Sequence, residues 1–296
     1  MKQASAHGSK GKYLGHQDAR LPPLAAARRL NASPYPANRV VPRSTPAALR
    51  VLALGPLKVF VGDREVAPRA WRSRKAQLVF EYLVTRDPGH LVPTDALMEA
   101  LWPEEDPALS IQCLRAATSV LRRTLEPDLP CRMSSAYLRS NDGRYALTLG
   151  EGGFFDVAEF ARNFDIATEL DHAGDGAGAA SAYRTAINLY RGDFLEDEPY
   201  AEWAFRRRER LRERFARALI RLCEFQLAHG DVAEATDLAV RVLETDPADE
   251  PSYRLIIACY AHSGQWGRAK VLYERYCAAM REYDLPTPPS LRALVS

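Results

Sequence analysis

Nowhere in its 296 residues does the chain hold a run of about 18 uncharged apolar residues, so no segment reads as a membrane span. Its first 48 residues lack the apolar stretch that a secretory leader needs. Cysteine is sparse. Cys113, Cys131, Cys223, Cys259 and Cys277 are scattered, odd in number and form no CxxC pair. That usage points to a cytoplasmic protein and argues against a disulfide framework or a zinc finger. His90, His172, His229 and His262 show no metal-ligand spacing, so neither a metal nor a cofactor is expected. There is no nucleophile motif, and GSKGK at residues 8–12 has the wrong spacing for the phosphate loop GxxxxGK(S/T). These absences weigh against an enzyme and against an ATPase module.

What is present is ordinary globular material, 47% hydrophobic and 26% charged, enough for about two domains. The formal charge of +2 hides an uneven spread: residues 1–48 carry +7, residues 49–150 carry +2 and residues 151–296 carry −7. A basic front and an acidic back suit different partners. Residues 1–48 are rich in proline, alanine and arginine and read as a disordered basic tail, with at most a short helix at 24–30. Such a tail adds attraction to nucleic acid without reading sequence, or does nothing specific.

Order is expected from about Leu49. Leu49, Val51 and Ala53, then Leu57, Val59 and Val61, alternate around a break at Gly55-Pro56, and Val66 follows a Gly62-Asp63 turn. This predicts a small antiparallel sheet. Ala76, Val79, Phe80 and Leu83 then fall at helical spacing. Pro88-Gly89 ends that helix, a second runs from about Pro93 to Trp102, and Asp106-Pro107 supplies the cap and first residue of a third that ends near Leu125. Asp142-Gly143 between two alternating segments predicts a hairpin. Sheet, three helices and hairpin make a winged helix-turn-helix over residues 49–150. From Phe154 the chain reads as helical. Gly230 and Gly264, Ala235 and Ala269, and Leu238 and Leu272 are each separated by 34 residues, the tetratricopeptide period. Asp246-Pro247 and Glu250-Pro251 mark the join between repeats, and an earlier helical pair is expected over residues 156–171 and around Ala180, Tyr183 and Ala186. The expected fold class is therefore mainly α with a small β component, the winged helix being followed by an all-α tetratricopeptide-like domain over residues 151–296.

The third helix carries two stripes. Leu114, Thr118, Leu121 and Leu125 should face the core. Gln112, Arg115, Ser119 and Arg122, with Arg123 beside them, form a face suited to base edges: arginine pairs with guanine O6/N7, glutamine with adenine. A solvated face with incidental arginines is the plainer alternative. Arg72, Arg74 and Lys75 at the start of the first helix suit DNA phosphates, and Arg139, Asn141 and Arg144 around the hairpin turn are natural wing contacts. The connector Trp102 to Pro107, with Glu104, Glu105 and Asp106, would repel DNA and so is expected to face protein. The run at residues 204–217 is dense in arginine. It reads as a salt-bridged helix over the domain junction in preference to a nucleic-acid patch, and Trp203, Phe205, Phe215 and Phe225 read as core.

The segments LVPTDALMEALWPEEDP, CLRAATSVLRRTLEP and YLRSNDGRYAL, then FFDVAEF, AINLYRGDFLEDEPYAEWAFRRRERLRE and DPADEPSYRLIIACYAHSGQWGRAKVLYERY, resemble the Streptomyces antibiotic regulatory protein family. That family joins a response-regulator-type winged helix to the bacterial transcriptional activator domain, and the resemblance covers about residues 49–285. It implies an activator that binds promoter direct repeats in double-stranded DNA as a homodimer and contacts RNA polymerase holoenzyme, without a receiver segment. The helical domain would be a regulatory module open to an effector or a partner protein. Val120 stands where the family commonly has a basic residue, and Ala116 and Ala117 replace polar ones, which implies a weaker or different sequence preference. The rival reading is a tetratricopeptide scaffold whose winged helix does not read DNA specifically.

Overall fold

The computed structural model describes residues 46–130, 133–245 and 247–295. Residues 1–45, with most of the basic tail, lie outside the described residues, as do Cys131 and Asp246. The described residues open with alternating strands, β1 (Leu49–Leu52), β2 (Lys58–Val61) and β3 (Arg64–Glu65), paired antiparallel in sequence. Leu49, Val51 and Val59 point inward and are buried, as period-2 patterning requires. A 3-10 turn (Pro68–Trp71) leads to α1 (Arg74–Val84), capped by the Ser73 side chain, which accepts from the Ala76 N–H. Strand β4 (Val92–Pro93) opens directly into α2 (Thr94–Leu101). Pro93 therefore belongs to a sheet, opposite Arg144, and the second helix starts one residue later than its sequence suggests. Helix α3 (Pro107–Leu125) starts where the Asp-Pro pair predicts, the Asp106 carboxylate accepting from the Ala108 N–H at 2.8 Å.

Strands β5 (Leu138–Asn141) and β6 (Arg144–Leu147) form the hairpin, and with β4 they make a three-stranded sheet of order β4-β6-β5. Asp142 and Gly143 both have positive φ, 45° and 70°. That is the turn whose twist matches antiparallel strands, and it is why an Asp-Gly pair stands there.

One element escapes the periodicity argument. Phe154–Phe155 is not the start of a helix but a strand, β7, lying parallel to β1 in a four-stranded sheet of order β3-β2-β1-β7. Two residues are too few to show a period, and parallel pairing depends on a partner 104 residues away in sequence (Arg50 with Phe154).

The helical half follows: α4 (Asp156–His172), α5 (Gly176–Leu189), α6 (Glu202–Ala228), α7 (Val232–Thr245), α8 (Glu250–His262), α9 (Trp266–Glu282) and the short α10 (Leu291–Leu294). Helices α4 with α5, α6 with α7 and α8 with α9 pack as hairpins, and α5 with α6 and α7 with α8 join them into a stack. Gly230 and Gly264 occupy the same left-handed turn in successive repeats, with φ of 81° and 74°. Ala235 and Ala269 are both fully buried, where small side chains let two helices approach. Phe215 is core, while Phe205 is 57% exposed and is not.

Residues 45–296 form one compact unit. The Asp156 carboxylate, almost fully buried, accepts from the Ala53 N–H at 2.8 and 2.9 Å and from the Leu54 N–H at 3.0 Å, and it pairs with Arg191 at 3.2 Å. Burial pushes this carboxyl above its ordinary range against the pull of those donors. The loop before α6 closes the same end of β1: Leu195 N–H donates to Ala53 O and Gly55 N–H to Asp193 O, both at 2.9 Å. Buried Arg208 donates to the carbonyls of Phe194, Pro199 and Glu198 and so holds that loop.

Candidate nucleic-acid interface

Burial sorts the third helix into its two stripes. Leu114, Thr118, Leu121 and Leu125 are all at most 1% exposed. Burying such leucines contributes about 2 kcal/mol each, which fixes the rotation of α3. Gln112, Arg115 and Arg123 are consequently exposed, and Ser119 and Arg122 are half-buried. Ala117 is buried and takes no part in the outer face, so of the two alanines only Ala116 lies on the surface. Val120 is half-buried. Arg123 folds back along the helix, its guanidinium reaching the Ser119 hydroxyl at 3.2 Å and carbonyl at 3.4 Å.

The end of α3 is held from two directions. Arg64 on β3 donates to the Leu125 carbonyl at 2.9 Å. Glu126 turns its carboxylate back to accept from the Ser135 hydroxyl and, at 3.1 Å, from the Ala136 N–H. This clamp sets the distance between helix and wing. Between them lies an open groove of about 880 Å³. Ser119, Arg122 and Arg123 form one wall, and Arg139, Ser140 and Asn141 form the other, over a floor that includes Leu129, Pro130 and Met133. Among the described residues no carboxylate lines it, and its three arginines make the groove electropositive. The Thr94 N–H and hydroxyl both donate to the Gly143 carbonyl, at 2.9 and 2.7 Å, and tie the wing turn to the start of α2.

Thus Ser119, Arg122, Arg123, Arg139 and Asn141 come together. Gln112 and Arg115 lie earlier on α3, and Arg144 lies across the turn from Asn141. The basic residues at α1 are engaged elsewhere. Arg74 pairs with Glu81 at 3.4 Å and with Glu198 of the loop before α6. Lys75 lies 3.4 Å from Glu105 and 3.0 Å from the Cys113 sulfur, above the Trp102 ring. Its pKa is raised, first by the Cys113 contact. Arg72 is exposed, at positive φ. In the α2–α3 connector Trp102 is buried, while Glu104, Glu105 and Asp106 are exposed. Among the described residues no cluster of His, Cys, Asp and Glu could hold a metal ion, and no helix is long and apolar enough to cross a membrane.

Residues 155–296 match the bacterial transcriptional activator domain. The chain is 27% identical over 226 residues to regulatory protein AfsR of Streptomyces coelicolor, a match covering 76% of this chain and 22% of AfsR. To regulatory protein DnrI of Streptomyces peucetius it is 30% identical over 152 residues, covering 50% of this chain and 54% of DnrI. The structure is similar to that of Mycobacterium tuberculosis EmbR, solved in complex with a low-affinity phosphopeptide. The TM-score is 0.67 at 22% identity, covering 85% of this chain and 64% of the EmbR chain. That likeness shows the fold, a winged helix joined to a helical domain. The chain spans about a fifth of the length of AfsR.

The residues that sequence reasoning missed are those of the junction: Asp156, Glu81, Arg207 and Arg208. Each acts on a backbone group or charge distant in sequence, and no local pattern announces them.

Proposed function

We propose that this chain is a cytoplasmic, non-catalytic activator of transcription that binds double-stranded promoter DNA in a sequence-specific manner. The observation that carries this reading is the acid-free groove joining Ser119, Arg122 and Arg123 to Arg139 and Asn141. In this reading α3 lies in the major groove, with Arg115 and Arg122 on guanines and Gln112 and Ser119 beside them. Arg139, Asn141 and Arg144 of the wing touch the backbone, as does Arg72, while Arg74 and Lys75 stay with their acids. The exposed Glu104, Glu105 and Asp106 of the connector that starts at buried Trp102 face RNA polymerase holoenzyme. Residues 49–150 are the DNA-binding part and residues 151–296 the activator part, which sets spacing on direct repeats, homodimerisation or capture of an effector or partner protein. The regulatory names of AfsR and DnrI support the same reading.

The test is selection of a bound motif from a random duplex pool at several salt concentrations, repeated with Arg115→Ala and Arg122→Ala. Enrichment of a short motif, lost or relaxed in each variant at a cost of about 1–3 kcal/mol, is the expected result. Weak binding without a motif, equal in all three proteins, would leave the scaffold reading in its place.

A further inference from the structure

The arginine-rich run of α6 has a distribution that neither the fold nor the proposed reading helix accounts for. From Glu202 to Arg214 it holds six arginines and three glutamates. Four of the arginines have a structural task. Arg207 donates to the Thr85 carbonyl and pairs with Asp87 at 3.0 Å. Arg208 holds the carbonyls of the loop before α6. Arg212 pairs with Asp193 and Glu209, and Arg214 with Asp165. The remaining two, Arg206 and Arg210, are exposed one turn apart, and among the described residues neither forms an ion pair with a carboxylate. The Arg210 guanidinium donates to the Arg206 carbonyl at 3.2 Å.

A third cation joins them from the winged half. Arg86, just past α1, is exposed and leans on Tyr82, 3.3 Å from its hydroxyl. The proximity of the group is visible at Arg207: burial lowers its pKa most, Asp87 opposes, and both Arg210 and Arg86 lower it further. Arg86 and Arg210 thus lie near Arg207, which pairs with the exposed Asp87 where the two halves meet, and Arg206 stands one turn before Arg210 on the same helix. Surface charges of one sign repel, and a cluster with so little compensation fits a polyanion. The place is continuous with the wing. From Arg86 the chain runs through Gly89, whose N–H donates to the Leu147 carbonyl at the base of β6, into β4, whose Pro93 pairs with Arg144 beside the wing turn.

We infer that Arg86, Arg206 and Arg210 form a second phosphate-contacting surface, on which the helical half holds the backbone of duplex DNA flanking the site read by α3. The inference rests on the DNA-binding reading above. It gives the helical half a direct DNA contact: the guanidiniums grip phosphates, carry no sequence information and lengthen the footprint.

The experiment uses the full chain and the selected motif in two duplexes, one with about 15 flanking base pairs on each side and one trimmed to the motif. Affinity is measured from about 50 to about 200 mM salt for the wild type, Arg206→Gln/Arg210→Gln, Arg86→Gln and Arg206→Lys/Arg210→Lys. Each phosphate contact contributes about 0.9 to the salt slope. On the long duplex the double glutamine variant should lose close to 2 from the slope, so that its affinity falls about tenfold less than that of the wild type across this range. Arg86→Gln should lose about half as much, and the lysine variant should behave as wild type. On the trimmed duplex all four should coincide. Equal slopes on the long duplex, or the same loss on both duplexes, would overturn the inference, and so would loss of an acidic protein partner with the DNA slopes unchanged. Wild-type protein that binds no motif at all overturns the reading beneath it as well.

Discussion

Glu81 illustrates how a single residue couples chemistry to stability. Its carboxylate is 0% exposed within α1, where Gln77 donates to it at 2.8 Å and Arg74 stands at 3.4 Å. Burial pushes it up to about 7; Arg74 opposes, and Glu198, which shares Arg74, adds to the rise. A carboxyl whose folded pKa lies above its unfolded value favours the fold most when both states are protonated. That contribution is complete below about pH 4.5 and is lost as pH rises through about 7. Wild-type protein should therefore lose up to roughly 3 kcal/mol of unfolding free energy between these limits from this group. Glu81→Gln should remove that loss. Urea titrations of both proteins at pH 5 and pH 8 check it, and parallel pH profiles would refute it. Arg74 is tied to this centre. A DNA-binding defect in Arg74→Ala would report a carboxylate deprived of its cation, so Arg115 and Arg122 are the tests of reading.

Among the elements, the hairpin and the β1–β7 pairing differ in how much of them is local. The hairpin rests on two adjacent residues at positive φ, and Gly143→Ala should cost about 1 kcal/mol, seen as a shift in the denaturation midpoint with an unchanged slope. This turn was legible because an Asp-Gly pair names its own conformation. The start of α3 was legible for the same reason, and so was its core stripe, since the period of a 19-residue helix is long enough to count. The β1–β7 pair has no such signal. It depends on Asp156 meeting the Ala53 and Leu54 N–H groups across more than 100 residues of chain. Asp156→Ala leaves those donors and Arg191 without their acceptor in a buried place. It should cost about 3 kcal/mol or more and split thermal unfolding into two steps. A single cooperative transition, as sharp as that of the wild type, would show that the junction matters less than its geometry suggests.

At the scale of the molecule, the winged and helical parts share a sheet edge, a buried carboxylate, the Arg74–Glu198 pair and the reach of Arg207 to Thr85 and Asp87. A fragment cut at Gly150 keeps every residue of the candidate reading face but opens the edge of β1. Such a fragment should associate and melt below the full chain, because an unpaired strand edge recruits other strands. Sedimentation and thermal melting of the two proteins decide this. A monomeric fragment as stable as the full chain would contradict it.

The sequence by itself determined the elements whose causes lie within a turn or two: the alternating strands, the capped third helix with its apolar and polar faces, the wing turn and the 34-residue repeat. Side-chain period and backbone preference act locally, so they can be read locally. Only the tertiary structure decided which arginines are spent on structure and which remain for a partner. It tied Arg74 and Lys75 to acids, brought Arg122 and Arg123 opposite Arg139, buried Ala117 and left Phe205, Arg206 and Arg210 at the surface. It also placed Asp156 against a strand that begins the domain. Those outcomes depend on burial and charge pairing between residues far apart in the chain, and pairing of that kind exists only once the chain has folded.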